Sequence, residues 1–184
     1  MNPQMIHCMQ CGEKLEMRYL PSEGRDIPYC TACGDFRFPV FNTAVSMIVT
    51  CPATGRIALI RQYGRPGFIL VAGYVNRGED AEDAAVREVR EEMGLKVTAV
   101  RFNHSHFFAP SNTLMLNFTA EVESEEVHVN TEVDSYAWFT KDEARQQILQ
   151  GSLAQAFLEG ALTGVYHWPV KKETAGTTWR GRPQ

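Results

Sequence analysis

Several features that would assign this chain to a class at once are missing from it. No apolar run in its 184 residues approaches the length needed to cross a bilayer. The opening, MNPQMIHCMQCG, has neither a basic leader followed by an apolar stretch nor a cleavage site. These absences predict a cytoplasmic protein with no membrane partner. Basic residues are few and scattered, 18 Lys and Arg against 22 Asp and Glu for a net charge of −4, which argues against general coating of nucleic acid. No helix rich in Arg is available to enter a DNA groove, and there is no internal repeat or low-complexity block. With 44% hydrophobic content the chain can bury one good core plus a small appendage.

Cysteine is also sparse, and its spacing is informative. Four of the five form two hooks, Cys8-x-x-Cys11 and Cys30-x-x-Cys33, separated by an 18-residue insert. This spacing fits a zinc ribbon. Four thiolates close a tetrahedral shell around Zn2+ with no position left for water, which makes the ion structural. Disulfide pairing is the alternative, disfavoured in a reducing compartment. His7 beside Cys8 finds no vacancy among four cysteines, and Cys51, at the end of an apolar run, reads as a buried core thiol.

Beyond the ribbon, VFNTAVSMIVT and IALIRQ flank a turn at Pro52 to Gly55 and read as a hairpin, with a further strand over Phe68 to Ala72. A helix ending near Met93 is followed by strand-like LKVTAVRFNHSHFF and TLMLNFTAEV, then a short aromatic strand, Tyr136 to Phe139. Helices are expected over Lys141 to Leu149 and Ser152 to Leu162, the second with Ser152 as N-cap. The mixture gives an α/β layered domain. The expected organisation is a ribbon over 1–38, a catalytic domain over 39–164 and a tail or arm over 165–184, with Trp168 and Trp179 candidates to pack on the body or on a partner subunit. His104 and His106 share one strand face, which suits either acid-base work or a hydrogen-bonded or solvent-facing pair.

The most informative stretch is Gly73 to Leu95, GYVNRGEDAEDAAVREVREEMGL. A glycine turn leads to Glu79. Asp80 can N-cap a helix whose first turn carries Glu82 and Asp83, where the dipole favours negative charge, and Gly94 stops it. Ala85, Val86 and Val89 supply much of its buried side, while Glu88, Glu91 and Glu92, at i, i+3 and i+4, project from one face. Three clustered anions repel one another. Their natural resident is a hard, oxygen-seeking divalent cation, Mg2+ or Mn2+.

These 23 residues resemble, at every specified position, the box of the Nudix hydrolases: Gly, five residues, Glu, seven residues, Arg-Glu-aliphatic-x-Glu-Glu-x-Gly-aliphatic. The resemblance implies an α/β/α sandwich in which a mixed sheet lies between helices and the glutamates face the substrate. A zinc ribbon directly before such a domain is similar to the NADH pyrophosphatase branch. On that resemblance Glu132, six residues before Trp138, completes a metal site with Glu88, Glu91, Glu92 and the main-chain carbonyl of Ala72, with Asp134 as its rival. Arg87 orients the glutamates, Glu79 supports the loop or a metal-bound water, and Glu91 or Glu92 takes the proton.

SLAQAFL resembles a segment whose alanine, here Ala154, touches the nucleotide, and Phe38 matches an aromatic that stacks on a base, its other reading being a packing contact between ribbon and domain. The recognition array SHFFAPSNTLM matches in Ser105, Leu114 and Met115 and conservatively in Phe108 and Thr113, but lacks the family's glutamine and proline framework. The implied reaction is hydrolysis of a dinucleotide diphosphate, NADH or NAD+ first. Alternatives are ADP-ribose, FAD or another nucleoside diphosphate derivative, removal of an NAD cap from RNA, and a nucleotide sensor without turnover. The family also implies a homodimer.

Overall fold

The fold is that of a computed structural model, which describes residues 5–168. Trp179 lies outside the described residues. The N-terminal part is a three-stranded antiparallel sheet of β1 (Glu16–Leu20), β2 (Arg25–Cys30) and β3 (Asp35–Phe36), in that order.

The second sheet has six strands: β4 (Asn42–Cys51), β5 (Arg56–Gln62), β6 (Val71–Tyr74), β7 (Val97–Phe108), β8 (Thr113–Val122) and β9 (Val133–Phe139). Its order is β7-β8-β4-β5-β9, with β6 also paired to β4. The β4–β8 pair is parallel and the others antiparallel, so the sheet is mixed. β4 holds β5 along Val49 to Cys51 and β6 along Ala44 to Met47. Two strands sharing one flank of β4 must part, and the candidate site forms near that parting.

Alternation along β4 assigns the two faces. Val45, Met47 and Val49 pack with Ala84, Ala85, Val89 and Met93 of α1 (Ala81–Met93). Ile48, with Ile57 and Leu59 of β5, packs on the opposite face with Ala144 of α2 (Lys141–Gln147) and with Phe157 and Leu158 of α3 (Leu153–Thr163). Helices therefore cover both faces, the α/β/α arrangement expected. Each fully buried Val, Met or Phe in these layers stabilises the fold by about 1.5–3 kcal/mol through removal from water. Asn117, wholly buried, is satisfied by donating to Ser46 O and Oγ at 3.0 and 2.8 Å and by accepting from Asn103 at 2.9 Å.

Several local expectations need correction. Val86 is 37% exposed, and Ala84 takes its place in the buried stripe of α1. Asp80 stands at the N-cap position but its side chain makes no capping bond, whereas Ser152 accepts from the Gln155 N–H as expected. The strand placed over Phe68 to Ala72 lies instead at Val71–Tyr74, because its partner is β4. α2 stops at Gln147 because Ile148 and Leu149 bond across to Phe68. No helix among the described residues is long and apolar enough to cross a membrane.

Candidate active site

Gly73 is not in a turn. It lies within β6, opposite Val45, and the Glu88 carboxylate occupies the space where a Cβ would stand. The residue is glycine because a side chain arriving from the helix 15 positions later needs the room. At the other end of α1, Gly94 adopts φ 67°, left-handed, with His128 closing over it.

Arg87 is the hub of the arrangement. Its Nε and Nη2 donate to the two oxygens of Glu79 at 2.7 and 3.0 Å, Nη1 donates to Glu88 Oε1 at 2.7 Å and Glu91 Oε2 at 3.0 Å, and Nη2 also donates to Tyr74 O at 3.0 Å. All five N–H donors of the guanidinium are used, a set that the three donors of a lysine cannot reproduce. The fork, helped by the Asn76 N–H, holds the Glu79 carboxyl down to about 2. Glu79 thus fastens the loop to the helix.

Glu92 is the opposite case. It is 3% exposed, and its Oε2 is buried with no hydrogen-bond partner. Burial, reinforced by repulsion from Glu88, Glu132 and Glu91, pushes its carboxyl up to about 7, and only the Gln62 amide opposes the shift. Gln62 Nε2 is itself buried without a bond of standard geometry, so the two groups face each other without closing a short contact.

Of the two acidic residues beyond the helix, Asp134 accepts the Gly64 N–H at 2.6 Å, whereas Glu132 accepts the Tyr63 hydroxyl at 3.1 Å and adds its charge to the field at Glu92. Glu132 is the one electrically joined to the cluster. Ala72 sits one position before Gly73, paired with Ser46. Four carboxylates and a buried, unpartnered oxygen suit a hard divalent cation. In this arrangement Glu88 and Glu91 are turned to Arg87, and the carboxylates do not converge on a single point.

The cysteines do converge. The sulfurs of Cys8, Cys11, Cys30 and Cys33 all lie within 4.8 Å of one another, the Cys8–Cys33 and Cys11–Cys30 pairs at 3.9 and 3.4 Å. Tetrahedral Zn–S bonds of about 2.3 Å place sulfurs about 3.8 Å apart, so the four positions fit such an ion. Arg37, which the sequence reading did not single out, donates Nε to Cys8 Sγ at 3.2 Å and Nη1 to Asp35 at 2.7 Å. The hydrogen bond it donates pulls the Cys8 thiol down to about 6.

The residues expected to contact substrate are dispersed. Phe38 is 51% exposed. Ser105 is exposed on β7 opposite Leu116, and Phe108 and Thr113 face each other at the tip of the β7–β8 hairpin. Thr113 is buried and its hydroxyl donates to Ser111 O at 3.0 Å, within its own turn. Ala154 is half-buried in the first turn of α3 against the second core. His104 and His106 do share a face, but their rings are stacked on aromatics: His104 on Tyr166 at 4.4 Å, and His106 on Trp168 at 4.1 Å. Trp168 also meets Phe157, so the first residues after α3 lie on the body. Gln62 and Tyr63 were missed. The available signal was a glutamine closing the apolar run IALIRQ, followed by Tyr-Gly.

The family model of the NUDIX domain matches residues 40–157. The chain belongs to the NUDIX family. Among curated NUDIX relatives, it is 30% identical over 156 residues to a protein of Pseudomonas aeruginosa named NAD-capped RNA hydrolase NudC, covering 83% of this chain and 54% of that one. A protein of the same name from Mycobacterium tuberculosis is 36% identical over 127 residues, covering 67% and 40%. The chain thus spans about half the length of these curated relatives. The crystal structure of a NUDIX hydrolase from Nitrosomonas europaea matches with a TM-score of 0.62 at 18% identity, covering 89% of this chain and 96% of that one, which shows the fold.

Proposed function

We propose that this NUDIX protein is a divalent-cation-dependent pyrophosphohydrolase that cleaves the diphosphate of a nicotinamide dinucleotide, NADH or NAD+, into two mononucleotides. The observation that carries the reading is the buried, unpartnered Oε2 of Glu92 amid the Glu88, Glu91 and Glu132 carboxylates, with Arg87 bracing the helix face. A water oxygen bonds to one phosphorus, the bridging P–O bond breaks, and the water proton passes to a carboxylate. Glu92, with an oxygen held by nothing else, is favoured over Glu91, which is bound to Arg87. Glu88, Glu91, Glu92, Glu132 and the Ala72 carbonyl are the groups assigned to hold Mg2+ or Mn2+. When bound, the ion supplies charge neutralisation of the diphosphate and acidification of the attacking water.

Arg87 and Glu79 position these groups. Phe38, Ser105, Phe108 and Ala154 are assigned to the nucleotide, with Thr113 shaping the hairpin tip. The four cysteines are assigned a structural Zn2+, and we divide the chain into ribbon (1–38), NUDIX domain (39–164) and arm (165–184), working as a cytoplasmic homodimer. A second reading, removal of an NAD cap from RNA, is favoured by the names of the relatives and breaks the same bond. A sensor without turnover has no need of Glu79, Glu88, Glu91 and Glu92 together.

Product analysis by chromatography tests the reading, with Mg2+ or Mn2+ and an equimolar panel of NADH, NAD+, FAD, ADP-ribose and a 5′-NAD-capped oligoribonucleotide. Fastest release of AMP and the nicotinamide mononucleotide from NADH or NAD+ is expected. Preference for ADP-ribose or FAD would move the specificity elsewhere, in keeping with the replaced glutamine and prolines of the recognition array.

A further inference from the structure

Gln62 ends β5, and Tyr63 begins the turn toward β6. In a regular strand two consecutive side chains leave on opposite faces. Gln62 keeps the face of Ala58 and Ile60, toward α1, the extra residue of the β5–β9 slip being Asp134 on β9, and Tyr63 breaks the alternation with a left-handed φ of 56°. Both side chains consequently reach the same carboxylate cluster. Gln62, 7% exposed, presents its amide to the buried Glu92, and Tyr63 donates its hydroxyl to Glu132 Oε2 at 3.1 Å.

The backbone of Tyr63 is costly and its packing return is small. A left-handed conformation is unfavourable for an aromatic residue, and a ring that remains 67% exposed recovers little by burial. The turn is nevertheless fastened, because the neighbouring Gly64 N–H is bound to Asp134 Oδ2. Strain maintained without burial points to work done by the hydroxyl. The same turn leaves one oxygen of each carboxylate open: Glu92 Oε2 has no partner, and Tyr63 engages only Oε2 of Glu132.

We infer that Gln62 and Tyr63 are positioning residues that aim Glu92 and Glu132 at a shared divalent cation, Tyr63 through its hydrogen bond and Gln62 through an amide buried beside the Glu92 carboxyl. This rests on the hydrolase reading above. Neither residue is assigned a contact with substrate. Gln62 acts through Glu92 and Tyr63 through Glu132, so the two segments that bring carboxylates from separate parts of the chain, α1 and the approach to β9, are set relative to each other by one dipeptide.

The test is calorimetric titration with Mn2+ alone of wild type, Tyr63→Phe, Glu132→Gln and the double variant, beside thermal melting and steady-state kinetics. Outer partners of metal ligands are worth about 10–100-fold in affinity, and the exposed Tyr63 belongs at the low end. Tyr63→Phe is expected to bind Mn2+ about tenfold more weakly and to raise the Mn2+ concentration for half-activation equally, with substrate KM at saturating Mn2+ and the melting temperature unchanged. In the Glu132→Gln background the same change is expected to add less than about twofold, because its route is gone. Gln62→Leu in a cycle with Glu92→Gln follows the same pattern with a larger loss. Wild-type Mn2+ affinity in Tyr63→Phe, or equal losses in both backgrounds, overturns the inference. A coupled cycle in a protein that hydrolyses none of the dinucleotides leaves the positioning role standing and removes the substrate reading instead.

Discussion

The carboxylate of Glu88 fills the space that a Cβ on Gly73 would claim. The obstructing atoms are the far end of a flexible side chain, not backbone, so Gly73→Ala can be accommodated by swinging Glu88 away. The fold then loses little: a strand prefers Ala to Gly by about 0.5–1 kcal/mol, against a similar loss from the broken Arg87–Glu88 contact. Chemistry loses much. Gly73→Ala is expected to melt within about 1 kcal/mol of wild type while metal-dependent turnover falls at least about a hundredfold. Retained turnover would separate Glu88 from the working site.

Arg87→Lys keeps the charge and removes the fork. A lysine has three donors where the guanidinium places five, and it cannot hold Glu79, Glu88 and Glu91 in one plane. Turnover is expected to drop about 10–100-fold with a stability loss of about 1–2 kcal/mol, read by kinetics and denaturant unfolding. Lysine within twofold of wild type would show that bulk charge suffices.

The raised carboxyl of Glu92 gives the metal-free protein a pH signature. Between its ordinary range near 4.5 and about 7, the folded state holds a proton that the unfolded state has released. Stability therefore falls as pH rises through that window, by about 3 kcal/mol from this group. Glu79, held down to about 2, contributes stability above 4.5 that is lost only as pH falls toward 2, outside the window. Melting curves of wild type and Glu92→Gln from pH 4.5 to 8 should diverge with this sign, and Mg2+ should restore wild type at the upper end. Parallel curves would mean that Glu92 is not buried as a neutral acid.

The cysteine cluster predicts one zinc per chain by elemental analysis, lost on Cys30→Ser and after strong chelation. Arg37→Ala, which removes the donor to Cys8 Sγ, should weaken zinc retention about tenfold without changing the stoichiometry. A zinc-free native protein would contradict the ribbon assignment.

Much of this was legible in the sequence because it is local. The C-terminal end of α1 follows from Gly94, Ser152 starts α3, and the cysteine spacing anticipates the gathering of four sulfurs. What was not legible depends on partners distant in the chain. Gly73 reads as a turn until Glu88 is seen occupying its side-chain space, and β6 takes its position from the ladder with β4. Val86 and Ala84 flank the apolar stripe of α1, and only the sheet beneath decides which faces inward. The stacking of His104 and His106 on Tyr166 and Trp168 spans about 60 residues, beyond the reach of any periodicity. Gln62 and Tyr63 acquire their meaning from a helix 30 residues on that brings Glu92 over the end of β5 and from one left-handed residue, neither of which has a sequence pattern of its own.

The central claim is that the carboxylates around Glu92 support metal-dependent hydrolysis, and it is tested most directly by turnover of NADH with and without Mg2+ by wild type and Glu92→Gln. Wild type is expected to release two monophosphates only with the cation, and the variant, folded to the same extent, to be at least about a hundredfold slower. Equal rates in the two proteins, or turnover by wild type that does not depend on the cation, would contradict it.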